Sequence, residues 1–206
     1  MTDIDRQAHW QNVYQSRSEQ QVSWSQPSPE PSLGLIEKFA PGKGASIVDI
    51  GGGASRLVDA LCERGYRHLT VLDISEAALQ RARDRLGSGA ASVQWVTADV
   101  TKWQPPQAFD IWHDRAAFHF LVDVRDRDAY LAQLHQGVKS GGHAIIATFA
   151  LDGPEKCSGL PVQRYDHLAL DKALGSAFAL VHHQPHHHVT PWGAAQSFQF
   201  SVFRRT

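Results

Sequence analysis

The chain has 206 residues, 42% of them hydrophobic and 20% charged, a balance that excludes wholesale disorder and suits a single domain. Twenty Lys and Arg against 21 Asp and Glu leave a net charge of −1, without the basic excess a nucleic-acid partner would demand. The longest apolar run, Ala144 to Leu151, is too short for a bilayer, the acidic start Met1-Thr2-Asp3-Ile4-Asp5-Arg6 lacks a signal peptide's features, and two cysteines, Cys62 and Cys157, make no disulfide framework. The expectation is a reduced, cytoplasmic protein with neither a membrane nor a nucleic acid as partner.

Residues 5–26 are mostly polar, but Trp10 and Tyr14 are spaced to share one face of a helix, and Trp24 follows. Gln26-Pro27-Ser28-Pro29-Glu30-Pro31 stops any such helix and opens a second, whose apolar stripe is Leu33, Leu35, Ile36 and Phe39. From Ser46 the pattern alternates. Ser46 to Ile50 is an apolar strand ending at Gly51-Gly52-Gly53, and Leu57 to Cys62 is a helix ended by Gly65. His68 to Asp73 is a second strand, and Ser75 caps the helix that follows. Val93 to Ala98, Phe109 to His113 and Ala144 to Phe149 read as three more strands, with a helix over Asp126 to Val138. Such alternation predicts an α/β fold, a doubly wound, mostly parallel sheet covered on both faces. Ala177 to Val181 and Phe198 to Phe203 have no helix between them, so they form an antiparallel hairpin at one sheet edge.

In such a sheet, ligands sit beyond the carboxyl ends of the strands, where strand order reverses. The first strand ends in Asp49-Ile50-Gly51-Gly52-Gly53-Ala54-Ser55-Arg56. Glycines let a ligand approach the backbone, although a plain turn uses them equally well. Acids at strand ends shift the balance. Asp73 ends the second strand, where a carboxylate accepts both ribose hydroxyl protons. Asp99, in Ala98-Asp99-Val100, can accept from an adenine amino group, and Asp49 can orient a ligand ammonium. Together they describe an adenosine pocket. A dinucleotide loop needs a third glycine where Arg56 stands, and no Gly-Lys-Ser/Thr loop exists for a triphosphate.

Val48-Asp49-Ile50-Gly51-Gly52-Gly53, Val71-Leu72-Asp73-Ile74-Ser75 and Ala98-Asp99-Val100 resemble the motifs of class I S-adenosylmethionine-dependent methyltransferases. Phe109-Asp110-Ile111-Trp112-His113-Asp114-Arg115 resembles their fourth-strand motif. The resemblance implies a seven-stranded, Rossmann-like sheet whose last strand is antiparallel, with S-adenosylmethionine as cofactor. It implies one domain over 1–206, with a lid over 1–30, a cofactor-binding core over 31–150, and an acceptor-side loop and hairpin over 151–206. Trp10, Tyr14, Trp24 and Arg115 resemble residues of the protein-lysine methyltransferases that act on elongation factor and citrate synthase, which usually carry lysine in place of Arg115. By that likeness Trp10, Tyr14, Trp24, Gly51, Asp73, Ile74, Asp99, Val100 and Arg115 touch the cofactor, beside Asp49, Gly52 and Gly53 of the loop. Cys157-Ser158-Gly159-Leu160-Pro161 and His188-Val189-Thr190-Pro191-Trp192-Gly193 resemble tellurite and thiol-type small-molecule methyltransferases, in which such segments close over the acceptor.

The catalytic candidates are therefore His188 as base, Asp114 at the end of the fourth strand, and Cys157. The run His182, His183, His186, His187 and His188 is read as a polar hairpin loop rather than a metal site, because Pro185 breaks its spacing and no acid is near. The fourth strand lacks the Asn/Asp-Pro-Pro-aromatic turn that grips a flipped base. The expected function is methyl transfer to a small molecule, with a soft thiol or chalcogen nucleophile preferred. The alternatives are protein-lysine N-methylation and, from other classes, a non-catalytic cofactor-binding protein or an NAD-dependent oxidoreductase.

Overall fold

The computed structural model describes residues 5–206; the first four residues of the acidic start and of the lid segment lie outside the described residues. Helix α1 (Arg6–Ser16) begins on Asp5, whose carboxylate accepts the Ala8 N–H, and α2 (Ser32–Phe39) follows the proline cluster. Next come β1 (Ser46–Ile50), α3 (Leu57–Glu63), β2 (His68–Asp73), α4 (Glu76–Leu86) and β3 (Val93–Thr97). The chain continues through β4 (Phe109–Arg115), α5 (Val124–Gly137) and β5 (Val138–Phe149) to a small ribbon, β6 (Lys156–Cys157) with β7 (Leu160–Pro161). It ends in α6 (His167–Leu174) and the hairpin β8 (Phe178–Val189) and β9 (Ala195–Arg205).

Seven strands form one sheet in the order β3-β2-β1-β4-β5-β9-β8, parallel except for β9, which runs against both β5 and β8. All of β1 is buried, as befits a strand covered on both sides, and this is why it reads as an unbroken apolar run. One core layer packs α2, α3 and α4 on the sheet through Ile36, Leu57 and Leu79. The opposite layer uses Tyr130 and Leu134 of α5 and Leu170 of α6. Strand order reverses between β2 and β4, the two neighbours of β1, so the carboxyl end of β1 is the crevice.

Four local readings need correction. The first helix stops at Ser16 rather than at the prolines, and residues 17–31 form a strap with one 3-10 turn. Strand β5 starts at Val138, six residues before Ala144, through a bulge opposite β4 that absorbs Gly141-Gly142. The histidine run is strand, not loop: His182, His183, His186, His187 and His188 all pair with β9, whose partner for Pro185 is Gln199. Polar on both faces at a sheet edge, that stretch offers no hydrophobic period, and an edge strand tolerates a proline. Asp114 lies within β4 but faces away from the crevice; its carboxylate accepts from Ala117 N (2.8 Å), Phe118 N (3.1 Å) and Tyr130 Oη (2.7 Å).

Candidate functional site

A cavity opens at the carboxyl ends of β1, β2 and β4. Its floor is the loop after β1. Gly51 has φ +66°, and a Cβ there would lie 2.9 Å from the Cβ of Ala117. At Gly52 a Cβ would sit 2.5 Å from Asp49 Oδ2, so only bare backbone lets the loop pass over that carboxylate. Gly53 is not in the cavity wall; it presses against Asp73, whose Oδ2 would be 2.6 Å from a Cβ.

The three strand-end acids converge on this cavity. Asp73 is buried and accepts the Ser75 N–H at 2.8 Å. Burial, with Asp49 nearby, pushes its pKa up to about 7, against two backbone hydrogen bonds that favour the charge. Asp49 pairs with His113 Nδ1 at 2.7 Å, and His113 Nε2 meets Ser32 Oγ at 2.9 Å, so the base of the loop is tied to α2. Asp99 is more engaged than a free strand-end acid. Its Oδ1 accepts from Thr101 N and Oγ1, and its Oδ2 pairs with Arg6 of α1 at 3.2 Å, while Arg6 also holds Asp126 at 3.0 Å. Ile74, Ala98 and Val100 make an apolar slot beside it.

The lid residues form the roof. Trp10 meets Trp24 with ring centroids 5.6 Å apart and Phe120 at 5.0 Å, and Trp24 meets Tyr14 at 6.0 Å. The face of α1 that carries them is fixed by α4: Gln11 Oε1 accepts from Ser75 Oγ and Ala77 N, and Arg81 donates to the carbonyls of Tyr14 and Arg17. Arg115 reaches in from the end of β4. Its Nη1 donates to the Trp24 carbonyl at 3.2 Å, and its Cζ lies 5.2 Å from the Phe198 ring centre. The other edge of the guanidinium, Nε with Nη2, is buried without a partner among the described residues. That edge is the fork that grips a carboxylate with two parallel hydrogen bonds. Burial lowers the Arg115 pKa to about 10, which leaves it charged at neutral pH.

Toward β5 and β9 the cavity wall is made by Phe149, Phe198, Cys157 and His119, with the Phe149 ring centre 4.8 Å from those of His119 and Phe198. Cys157 is a free thiol, raised in pKa by burial, with Ser23 Oγ 3.9 Å from its sulfur. His188 is elsewhere. It is buried outside the cavity wall and donates Nε2–H to the Ser23 carbonyl at 2.6 Å. With its proton on Nε2 the ring keeps its lone pair on Nδ1, but the cavity wall does not include His188, so what the geometry shows is a clamp on the strap. Of the sequence candidates, the cavity wall unites Trp10, Tyr14, Trp24, Asp49, Gly51, Gly52, Asp73, Ile74, Asp99, Val100, Arg115 and Cys157. Arg6, Ser23, His119, Phe120, Phe149, Gln196 and Phe198 are additions. His119 and Phe120 follow the fourth-strand motif directly, a signal that could have been read; Phe198 and Gln196 come from a hairpin whose placement over the cavity no local pattern reveals.

Residues 47–142 match the model of a methyltransferase domain. The chain is 28% identical over 171 residues to methyltransferase srdJ of Neurospora crassa, covering 81% of this chain and 70% of that protein. It is 25% identical to the eEF1A lysine and N-terminal methyltransferase of Mus musculus over 69% of its own length, but spans only 21% of that protein. The 1,6-didemethyltoxoflavin-N1-methyltransferase of Burkholderia thailandensis, solved with S-adenosylhomocysteine and 1,6-didemethyltoxoflavin, superposes with a TM-score of 0.71 at 19% identity, over 97% of this chain and 87% of that one.

Proposed function

From the membership of this chain in the class I S-adenosylmethionine-dependent methyltransferases, we propose that it transfers the methyl group to a small-molecule acceptor with a soft nucleophile, a thiol or chalcogen. The observation that carries this reading is the distribution of charge along the cavity. The acids in its wall, Asp49, Asp73 and Asp99, stand at or just past the ends of β1, β2 and β3, and its side toward β5 and β9 holds Phe149, Phe198, Cys157 and His119 without a carboxylate. A lysine ammonium entering there would find no counter-ion, whereas a polarisable sulfur finds aromatic faces.

The residues fit the cofactor. Asp73 would take the ribose hydroxyls, the slot of Ile74 and Val100 the base, and the unpaired edge of Arg115 the methionine carboxylate. The Trp10, Tyr14 and Trp24 rings would face its cation. When bound, the cofactor presents a methyl carbon on a positive sulfur; an acceptor lone pair forms the new bond as the carbon–sulfur bond breaks, its electrons remaining on a neutral thioether. The protein aligns the partners and excludes water, and alignment alone is worth about 7–11 kcal/mol of barrier. A thiolate needs no base, which agrees with a reacting end where His188 is absent and Cys157 is held as a thiol.

The test is formation of S-adenosylhomocysteine from S-adenosylmethionine across thiols, metalloid oxyanions, small amines and a lysate proteome. Turnover with thiols or oxyanions supports the reading. Turnover confined to proteins would replace it with lysine methylation, and tight NADH binding without affinity for S-adenosylmethionine would remove it.

A further inference from the structure

We infer that His119 selects the acceptor: its ring lines the cavity and carries a buried, unused Nε2–H donor, and the molecule it takes arrives with an unprotonated lone pair, a thiolate or an oxyanion. The inference rests on the methyltransferase reading of the same cavity and names the ionic form of its acceptor.

His119 is fully buried, lines the cavity, and among the described residues has no partner for Nε2. Its Nδ1 faces the Phe149 backbone N–H at 3.4 Å. A backbone amide can only donate, so Nδ1 keeps its lone pair and the proton of the neutral ring sits on Nε2. The ring has little freedom to turn. Phe120 meets it edge-on with centroids 4.5 Å apart, Phe149 lies at 4.8 Å, and the residue's own carbonyl accepts the Gln163 N–H at 2.8 Å. Burial and the Arg115 charge hold the imidazole neutral, with a pKa down to about 3. The ring therefore neither takes a proton from an ammonium nor changes charge near neutrality. What it offers is one desolvated donor, and a buried donor left unpaired costs free energy that an accepting ligand returns.

An ammonium has only donors, so it would meet Nε2–H with like polarity and leave both groups unpaired. A thiolate pairs with Nε2–H while its hydrocarbon part lies against Phe149 and Phe198. The donor also orients the lone pairs of the nucleophile, one engaged by His119 and another left for the methyl carbon.

The test uses the full chain loaded with S-adenosylhomocysteine and titrated with 4-nitrothiophenolate, whose absorption band reports hydrogen bonding to sulfur, with benzylammonium as the cationic counterpart. The wild type is expected to bind the thiolate with a shifted band and to bind it more tightly than the ammonium. His119→Phe keeps a ring but no donor and should bind the thiolate about tenfold more weakly or worse, with the shift lost. Affinity for S-adenosylhomocysteine should stay within about twofold, and His119→Gln, which restores an N–H, should recover part of the loss. Equal thiolate affinity in wild type and His119→Phe, tighter binding of benzylammonium, or no thiolate binding at all would overturn the inference. If the thiolate binds in a His119-dependent way but S-adenosylmethionine yields no methylated product, the transfer reading fails and the acceptor site stands.

Discussion

Asp73 sits where burial opposes its charge, and its pKa near 7 couples two properties of the protein to pH with opposite signs. Ribose hydroxyls donate to a carboxylate, so binding requires the ionised form, and below pH 7 the proton must leave first. Affinity for S-adenosylmethionine should therefore fall by up to about tenfold for each pH unit below 7. Ligand-free stability follows the other direction. The native state holds a proton that the unfolded chain, with an ordinary carboxylate, has released, so stability should fall as pH rises from about 4 toward 7, by up to about 1.4 kcal/mol per unit. Calorimetric titration and urea melts at pH 5, 6, 7 and 8 read both slopes, and Asp73→Asn should flatten both; a flat binding profile in the wild type would place the ribose elsewhere. Asp114, also raised in pKa by burial, to about 6, is a different kind of acid. Three donors make four hydrogen bonds to it: the Ala117 N–H, the Phe118 N–H to both of its oxygens, and the Tyr130 hydroxyl. They hold the turn that carries His119. Asp114→Asn puts an amide donor among those donors and should cost about 2 kcal/mol in a urea melt. Cofactor affinity of the folded fraction should remain within twofold; a variant as stable as wild type but dead in turnover would make Asp114 a catalyst after all.

At the scale of elements, α1 lines the cavity through its ring-bearing face. The helix has no core stripe of its own: of its residues, only Val13 and Tyr14 are buried. It is held by polar ties to α4 and by Arg6 across Asp99 and Asp126. If Trp10 acts on the sulfonium charge, Trp10→Ala should weaken S-adenosylmethionine more than neutral S-adenosylhomocysteine, by about 0.5–2 kcal/mol of difference. Paired calorimetric titrations decide this: an equal loss for both ligands would mean the indole contributes burial alone. The elements also show what was legible. Strands β1 and β2 could be read because both faces are buried and their ends are marked by Gly51 and Asp73. The length of β8 could not, because His182 to His187 alternate only between partial burial and exposure at a sheet edge. The strand-end acids were legible from position alone, but Arg6 on Asp99 was not, since 93 residues separate the pair and only the assembled lid brings them together.

The whole molecule closes its cavity with three distant parts of the chain. The core supplies the glycine floor, the strap around Ser23 and Trp24 supplies the roof, and the hairpin supplies Phe198 and Gln196. Two carbonyls of the strap hold the roof down: Trp24 gives its carbonyl to Arg115, and Ser23 gives its carbonyl to His188 of β8. This arrangement separates a clamp from a base. A base matters only for acceptors that arrive protonated, and its loss removes one limb of the pH–rate profile. A clamp matters for every acceptor, because an open roof admits water and loosens the cofactor. His188→Ala removes one hydrogen bond and should raise the Kd for S-adenosylmethionine about fivefold to tenfold. The value of kcat/KM should fall by a similar factor for thiolates and amines alike, with the shape of the pH profile unchanged, and His188→Gln, which can again donate to the Ser23 carbonyl, should recover part of it. A loss confined to amines, with a pH limb missing, would return His188 to the role of proton acceptor and require its ring to turn from Ser23 into the cavity.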